Sequence, residues 1–134
     1  MSTTEFSAKS DAIDKLNALA DECSSDGWDG EDAEAISRAV TARTIAFIRA
    51  LPSDLPLPDF APEPDGSISL DWILSRSRLL SLSVGAGTRL AYAWLDDEDR
   101  GHAVAHFDGA GIPWRVLEEI RGLTGCANPP VRAD

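Results

Sequence analysis

Positive charge is in short supply in this sequence. Twelve Lys and Arg stand against 23 Asp and Glu in 134 residues, a formal net charge of -11. A face that binds DNA or RNA needs a basic patch that displaces counterions from phosphate. The balance argues against direct nucleic-acid binding and against anionic membrane surfaces. It suits a protein partner with a basic surface. Cysteine is equally sparse: Cys23 and Cys126 lie far apart, outside any CxxC spacing. They read as idle thiols of a reducing cytosol, not as a disulfide framework. No apolar run approaches the roughly 20 residues that span a bilayer. The start, "MSTTEFSAKSDAIDK", has neither the basic nor the apolar region of a secretory signal. A cytoplasmic protein is expected.

Motifs for chemistry are also missing. No GxSxG elbow is present, and neither Cys sits beside a His. "GAGTRL" at 85–90 and "GAGIPW" at 109–114 fall short of either phosphate-loop pattern and read as turns. Asp26, Asp29, Glu31, Asp32 and Glu34 look like a calcium set. From Asp26, however, loop positions 3 and 5 are Trp28 and Gly30, where an EF-hand needs oxygen ligands. His102 and His106 lie in "HAVAHF", which reads as a strand. Positions four apart there are separated by roughly 13 Å, too far to share one zinc ion. No metal, cofactor or catalytic residue is expected, and the chain is read as non-enzymatic.

What is present is an ordinary globular composition, 43% hydrophobic and 26% charged, of the size of a single domain spanning 1–134. Residues 1–7 and 126–134 are expected to fray. Ala12, Ile13, Leu16, Leu19, Ala20 and Cys23 share one side of a helix over 8–24. A second helix is expected from about Glu31 to Ala50, with Asp29 as its N-cap, Glu31, Asp32 and Glu34 in its first turn, and Trp28 pinning the corner. Five Pro residues mark 51–66 as an extended crossover, ending in an edge strand near Asp59–Glu63.

From Ser67 the period becomes two. Ile68, Leu70, Trp72 and Leu74 alternate with polar residues. "RLLSLSV", "TRLAYAWL" and "HAVAHF" follow, separated by "GAG" and "DDEDRG". This is an antiparallel meander. Pro113 opens a last helix over about 113–123. The expected fold is α+β in two layers: two N-terminal helices, a meander of four to five strands, and a C-terminal helix on the same face. Ala91, Ala93, Leu95, Ala103, Ala105 and Phe107 are expected to make the other face apolar, a surface for self-association or a partner.

Three stretches carry a resemblance: "WDG" at 28–30, "FIRALP" at 47–52 and "PEPDGSISLDW" at 62–72. Over roughly 28–96 the chain resembles a group of small bacterial and phage-borne proteins that have WDG before a helix, a helix ending in LP, a Pro-rich link and PxxDGxxxLxW opening a meander. That resemblance implies the same fold and a mobile-element setting, without a reaction.

The functional expectation is an acidic protein that binds a macromolecular partner, as an accessory or inhibitor protein of a phage or mobile element. Its candidate contact residues are Asp26, Asp29, Glu31 and Asp32 at the helix corner and Asp96, Asp97, Glu98 and Asp99 in the later loop. One alternative is an anti-CRISPR-like mimic that occupies a nucleic-acid groove. Another is an enzyme whose site assembles from distant residues around His102 or His106.

Overall fold

Buried and exposed residues alternate along the C-terminal half of the chain, and the alternation builds one sheet. The computed structural model describes residues 3–125. Helix α1 (Thr3–Glu22) and helix α2 (Arg38–Ala50) precede strands β1 (Asp59–Pro62), β2 (Ile68–Ser75), β3 (Arg78–Val84), β4 (Arg89–Asp96) and β5 (Asp99–His106); helix α3 (Trp114–Thr124) closes the order. The strands form an antiparallel meander, β1-β2-β3-β4-β5. An α+β fold with two N-terminal helices and one C-terminal helix is what the periodicities indicated.

All three helices lie on one side of the sheet. Leu16 of α1, Phe47 and Ile48 of α2, and Val116 and Ile120 of α3 are fully buried in one cluster with Ile68, Leu70, Leu80, Leu82 and Leu90. Each such side chain contributes roughly 1.5–3 kcal/mol by leaving water. Trp72 and Tyr92 belong to the same interior. The Trp72 indole N–H, which burial would otherwise strand, donates to the carbonyl of Pro56 at 2.9 Å. Phe47 meets Phe107 edge to face at 5.6 Å between ring centroids. The Arg43 guanidinium sits over Phe107 and donates to its carbonyl at 2.5 Å.

Two expectations about the helices are corrected. α2 begins at Arg38, not near Glu31, and its N-cap is Ser37, whose hydroxyl accepts from the Val40 amide at 3.2 Å. Residues 23–37 are a loop with its own closed hydrogen bonding, so Glu31, Asp32 and Glu34 are not in a helical first turn. α1 starts at Thr3, ahead of residue 8. Residues 1, 2 and 126–134, part of the ends expected to fray, lie outside the described ones.

A third correction concerns the sheet's faces. β4 and β5 join through the two residues Asp97 and Glu98, pairing Asp96 with Asp99, Tyr92 with Ala103 and Leu90 with Ala105. Directly opposed residues share a face. Ala103, Ala105 and Phe107 therefore point inward, and the outward residues of β5 are Arg100, His102, Val104 and His106. Ala91, Ala93 and Leu95 do face outward as expected, but Arg100, His102 and His106 join Val104 there, so the outer face of the last strands is mixed, not uniformly apolar.

Candidate functional site

The acidic corner is built as a self-bonded loop. Asp26 Oδ1 accepts the amide of Ala35 at 2.9 Å, and Asp29 Oδ1 accepts those of Glu31 at 2.8 Å and Ala33 at 3.3 Å. The Trp28 indole N–H donates to the Glu34 carbonyl at 2.7 Å, and the Gly27 amide donates to that of Ala33 at 2.7 Å. The loop is fastened to the turn before β2, where the Glu34 amide donates to Pro64 at 2.8 Å. Gly66 makes that approach feasible: its φ of +89° lies in the left-handed region, and a Cβ there would stand 3.2 Å from the Ala35 carbonyl. Asp26 and Asp29 are thus committed to shape. Glu31 and Asp32 remain exposed. Among the described residues, no three His, Cys, Asp or Glu come together as a metal would require.

The second acidic group is a hairpin tip. Asp97 takes the left-handed conformation, φ 58°, which Asp tolerates better than most residues. Its amide donates to Ser77 at 2.7 Å. Asp96 is paired with Arg78 at 3.1 Å, and the same guanidinium donates to the Leu123 carbonyl at 2.6 Å, joining sheet to α3. Glu98 and Asp99 are exposed. This tip and the 23–37 loop lie at opposite ends of the strands: the loop abuts the turn that leads into Ile68, whereas Asp96 pairs with Arg78 beside Ser75. Seven strand steps of ~3.3 Å separate those ends by roughly 23 Å.

Between these ends stretches the outer face, which no helix covers among the described residues. The registers set its residues in four rows. Reading from β1 to β5, one row runs Asp59, Asp71, Ser81, Ala93, His102, and the next Ala61, Ser69, Ser83, Ala91, Val104. Toward the hairpin tip come Ile73, Leu79, Leu95 and Arg100; at the far end Glu63 precedes Arg89 and His106. The centre is floored by Ser and Ala, and Ile73 and Val104 are 61% and 46% exposed.

Charge on this face is sorted by side. Asp71 Oδ1 accepts the hydroxyls of Ser69 and Ser81, both at 2.7 Å, and Glu63 Oε1 accepts that of Ser83 at 2.7 Å. Asp59 stands directly opposite Asp71, an arrangement of like charges that costs stability when unrelieved. Arg89, Arg100, His102 and His106 occupy the other side. Among the described residues the ion pairs are Arg78 with Asp96 and Arg121 with Asp54, so neither side of the face is neutralised from within.

β5 adds an open edge. The Phe107 amide donates to the Thr88 carbonyl at 2.7 Å. That fixes the bonding phase, so the backbone groups of Arg100, His102, Val104 and His106 point away from β4.

Concave space is shallow. A groove of about 600 Å³ lies between α1 and residues 57–60, lined by Ala12, Lys15, Leu19, Leu57, Asp59 and Phe60 among others. His102 borders only a flat depression with Trp94 and Gly101. Burial, with a smaller push from Glu22, raises the Cys23 thiol above its ordinary value. Burial also raises Glu119, with Asp99's charge adding to it. Backbone amides of Ala110 and Gly111 hold Asp108 below the usual carboxylate range. These groups are scattered and form no common site.

Trp114, 69% exposed at the start of α3, was not distinguished by its spacing. Pro113 before it marks a helix start but says nothing about which way the first side chain points. Comparison with protein-family models, with curated proteins and with solved structures finds no match. The resemblance noted above therefore rests on its three sequence stretches alone.

Proposed function

We propose that this protein acts by binding a macromolecule through the uncovered face of its sheet. The observation that carries this reading is the sorting of polar side chains on that face, carboxylates on β1 and β2 and Arg and His on β4 and β5, over a Ser and Ala floor. A flat face with small central residues lets another surface approach closely, and opposed charges at its margins select orientation more than affinity. A partner protein with charge of both signs suits it better than a uniformly basic groove-binder. Because the two acidic ends lie roughly 23 Å apart along the strands, they lend no support to one continuous acidic stripe imitating nucleic acid. An accessory or inhibitory role in the cytosol fits a binding protein with a free, buried Cys23.

The test is affinity capture from the cells that make the protein, with Ser81→Arg as control. Ser81 lies at the middle of the outer face, and Arg there should abolish capture while leaving the far-UV circular dichroism unchanged. The same captured proteins with both baits would overturn the reading.

A further inference from the structure

We infer that the occupant of the outer face is a second copy of this chain, related by a two-fold axis parallel to the strands and passing over β3. The inference rests on the reading of this face as a binding surface and names what binds there. Such an axis keeps each residue at its level along the strands while exchanging β1 with β5 and β2 with β4.

Applied to the observed registers, the operation sets the carboxylates of the β1 margin across from the imidazoles of β5, whose ring N–H groups can donate to them. Asp59 meets His102 of the second copy. Glu63, one step beyond β1, meets His106. Arg100 reaches toward the Asp59–Asp71 pair, which among the described residues has no ion-pair partner. Between the margins the match is steric. Ala61 faces Val104, Ile73 faces Leu95, and Leu79 faces its own equivalent. Ser81 and Ser83 also lie on the axis, where self-facing residues must be small or mutually compatible. The other simple two-fold, perpendicular to the strands, would stack β1 on β1 and set Asp59 against acidic neighbours.

The available area is sufficient. The 35 strand residues, each covering ~3.3 Å by ~4.8 Å, give a face of about 550 Å², hence roughly 1,100 Å² buried in total, close to the ~1,000 Å² expected of a specific interface. Aligned sheets pack about 10 Å apart at about 30°, and short central side chains permit that spacing. The paired sheets would gather both Asp96–Asp99 tips at one end of the assembly.

Sedimentation equilibrium of the purified full chain, from about 1 to 100 μM, should give twice the 14.4 kDa chain mass. Asp59→Lys should weaken the dimer tenfold or more, and so should His102→Asp. The double variant should recover to within about threefold of the original. β1 and β5 are four strand spacings apart, ~19 Å, so recovery can only arise between copies. A monomer throughout the range overturns the inference. So does a dimer indifferent to both substitutions, which would point to pairing through the β5 edge. Either result, alongside partner capture that Ser81→Arg abolishes, leaves the face as a binding surface for a different protein.

Discussion

Gly101 and Trp94 face each other across β4 and β5, and the indole fills the space a side chain at 101 would need: a Cβ built there would lie 2.5 Å from Cζ2 of Trp94. Gly101→Ala must displace the ring and should cost about 1–3 kcal/mol, as overpacking does. Gly122 is the contrasting case. It sits within α3 with open space around its Cα, and Gly122→Ala should stabilise by about 0.4–1 kcal/mol by restricting the unfolded chain. Urea unfolding of the two variants should move the midpoint in opposite directions.

The 23–37 loop should loosen in steps. Trp28→Phe retains the ring but removes the indole donor to Glu34, and Asp26→Ala removes the acceptor for the Ala35 amide. Each should cost about 1 kcal/mol. Amide exchange at Ala35 should quicken in Asp26→Ala while the β3 core amides keep their protection. Equal acceleration everywhere would mean that the loop is part of the global folding unit.

Two carboxyl groups should respond to pH with opposite sign. Hydrogen bonds from the Ser67 hydroxyl and amide hold Asp65 below the usual range. Its contribution to stability is therefore present above the unfolded value, near 3.9, and disappears as pH falls through the folded value. Glu119 is raised, first by burial and then by Asp99. Its charged form is disfavoured in the fold, so it costs stability at neutral pH, and the cost vanishes below its unfolded value, near 4.3. Asp65→Asn should lower Tm at pH 7, Glu119→Gln should raise it, and both differences should shrink on acidification toward pH 2–3. Thermal melts across that range check the signs.

Cys23 is buried at the end of α1, and its thiol is held protonated more firmly than a free one. Alkylation by iodoacetamide at pH 7.5 should leave the Cys23 peptide unmodified until denaturant is added. Rapid labelling of the native protein would show that the α1–loop junction opens readily.

The strands were legible because their faces differ. Ile68, Leu70 and Trp72 alternate with Ser69 and Asp71, and a half-buried sheet requires just that period. The start of α2 was misread for a local reason. Asp29 followed by Glu31, Asp32 and Glu34 imitates a capped helix, but Asp29 closes a turn on Glu31 and Ala33 instead. Ser37, three residues before Val40, held the actual cap signal. The facing of β5 was lost because a strand's side is set by its register, and one residue of turn length exchanges Ala103 for His102. That exchange hid the candidate site: the carboxylates and the Arg and His residues of the outer face come onto one surface only when the four registers are laid side by side.

Every strand of the sheet lies next to the one that precedes it in the chain. As the polypeptide leaves the ribosome, each new hairpin can zip onto a finished edge without waiting for a distant segment, so the entropy of closing long loops is largely avoided. Assembly in that direction ends at β5, leaving the last strand made as the rim with unsatisfied amides.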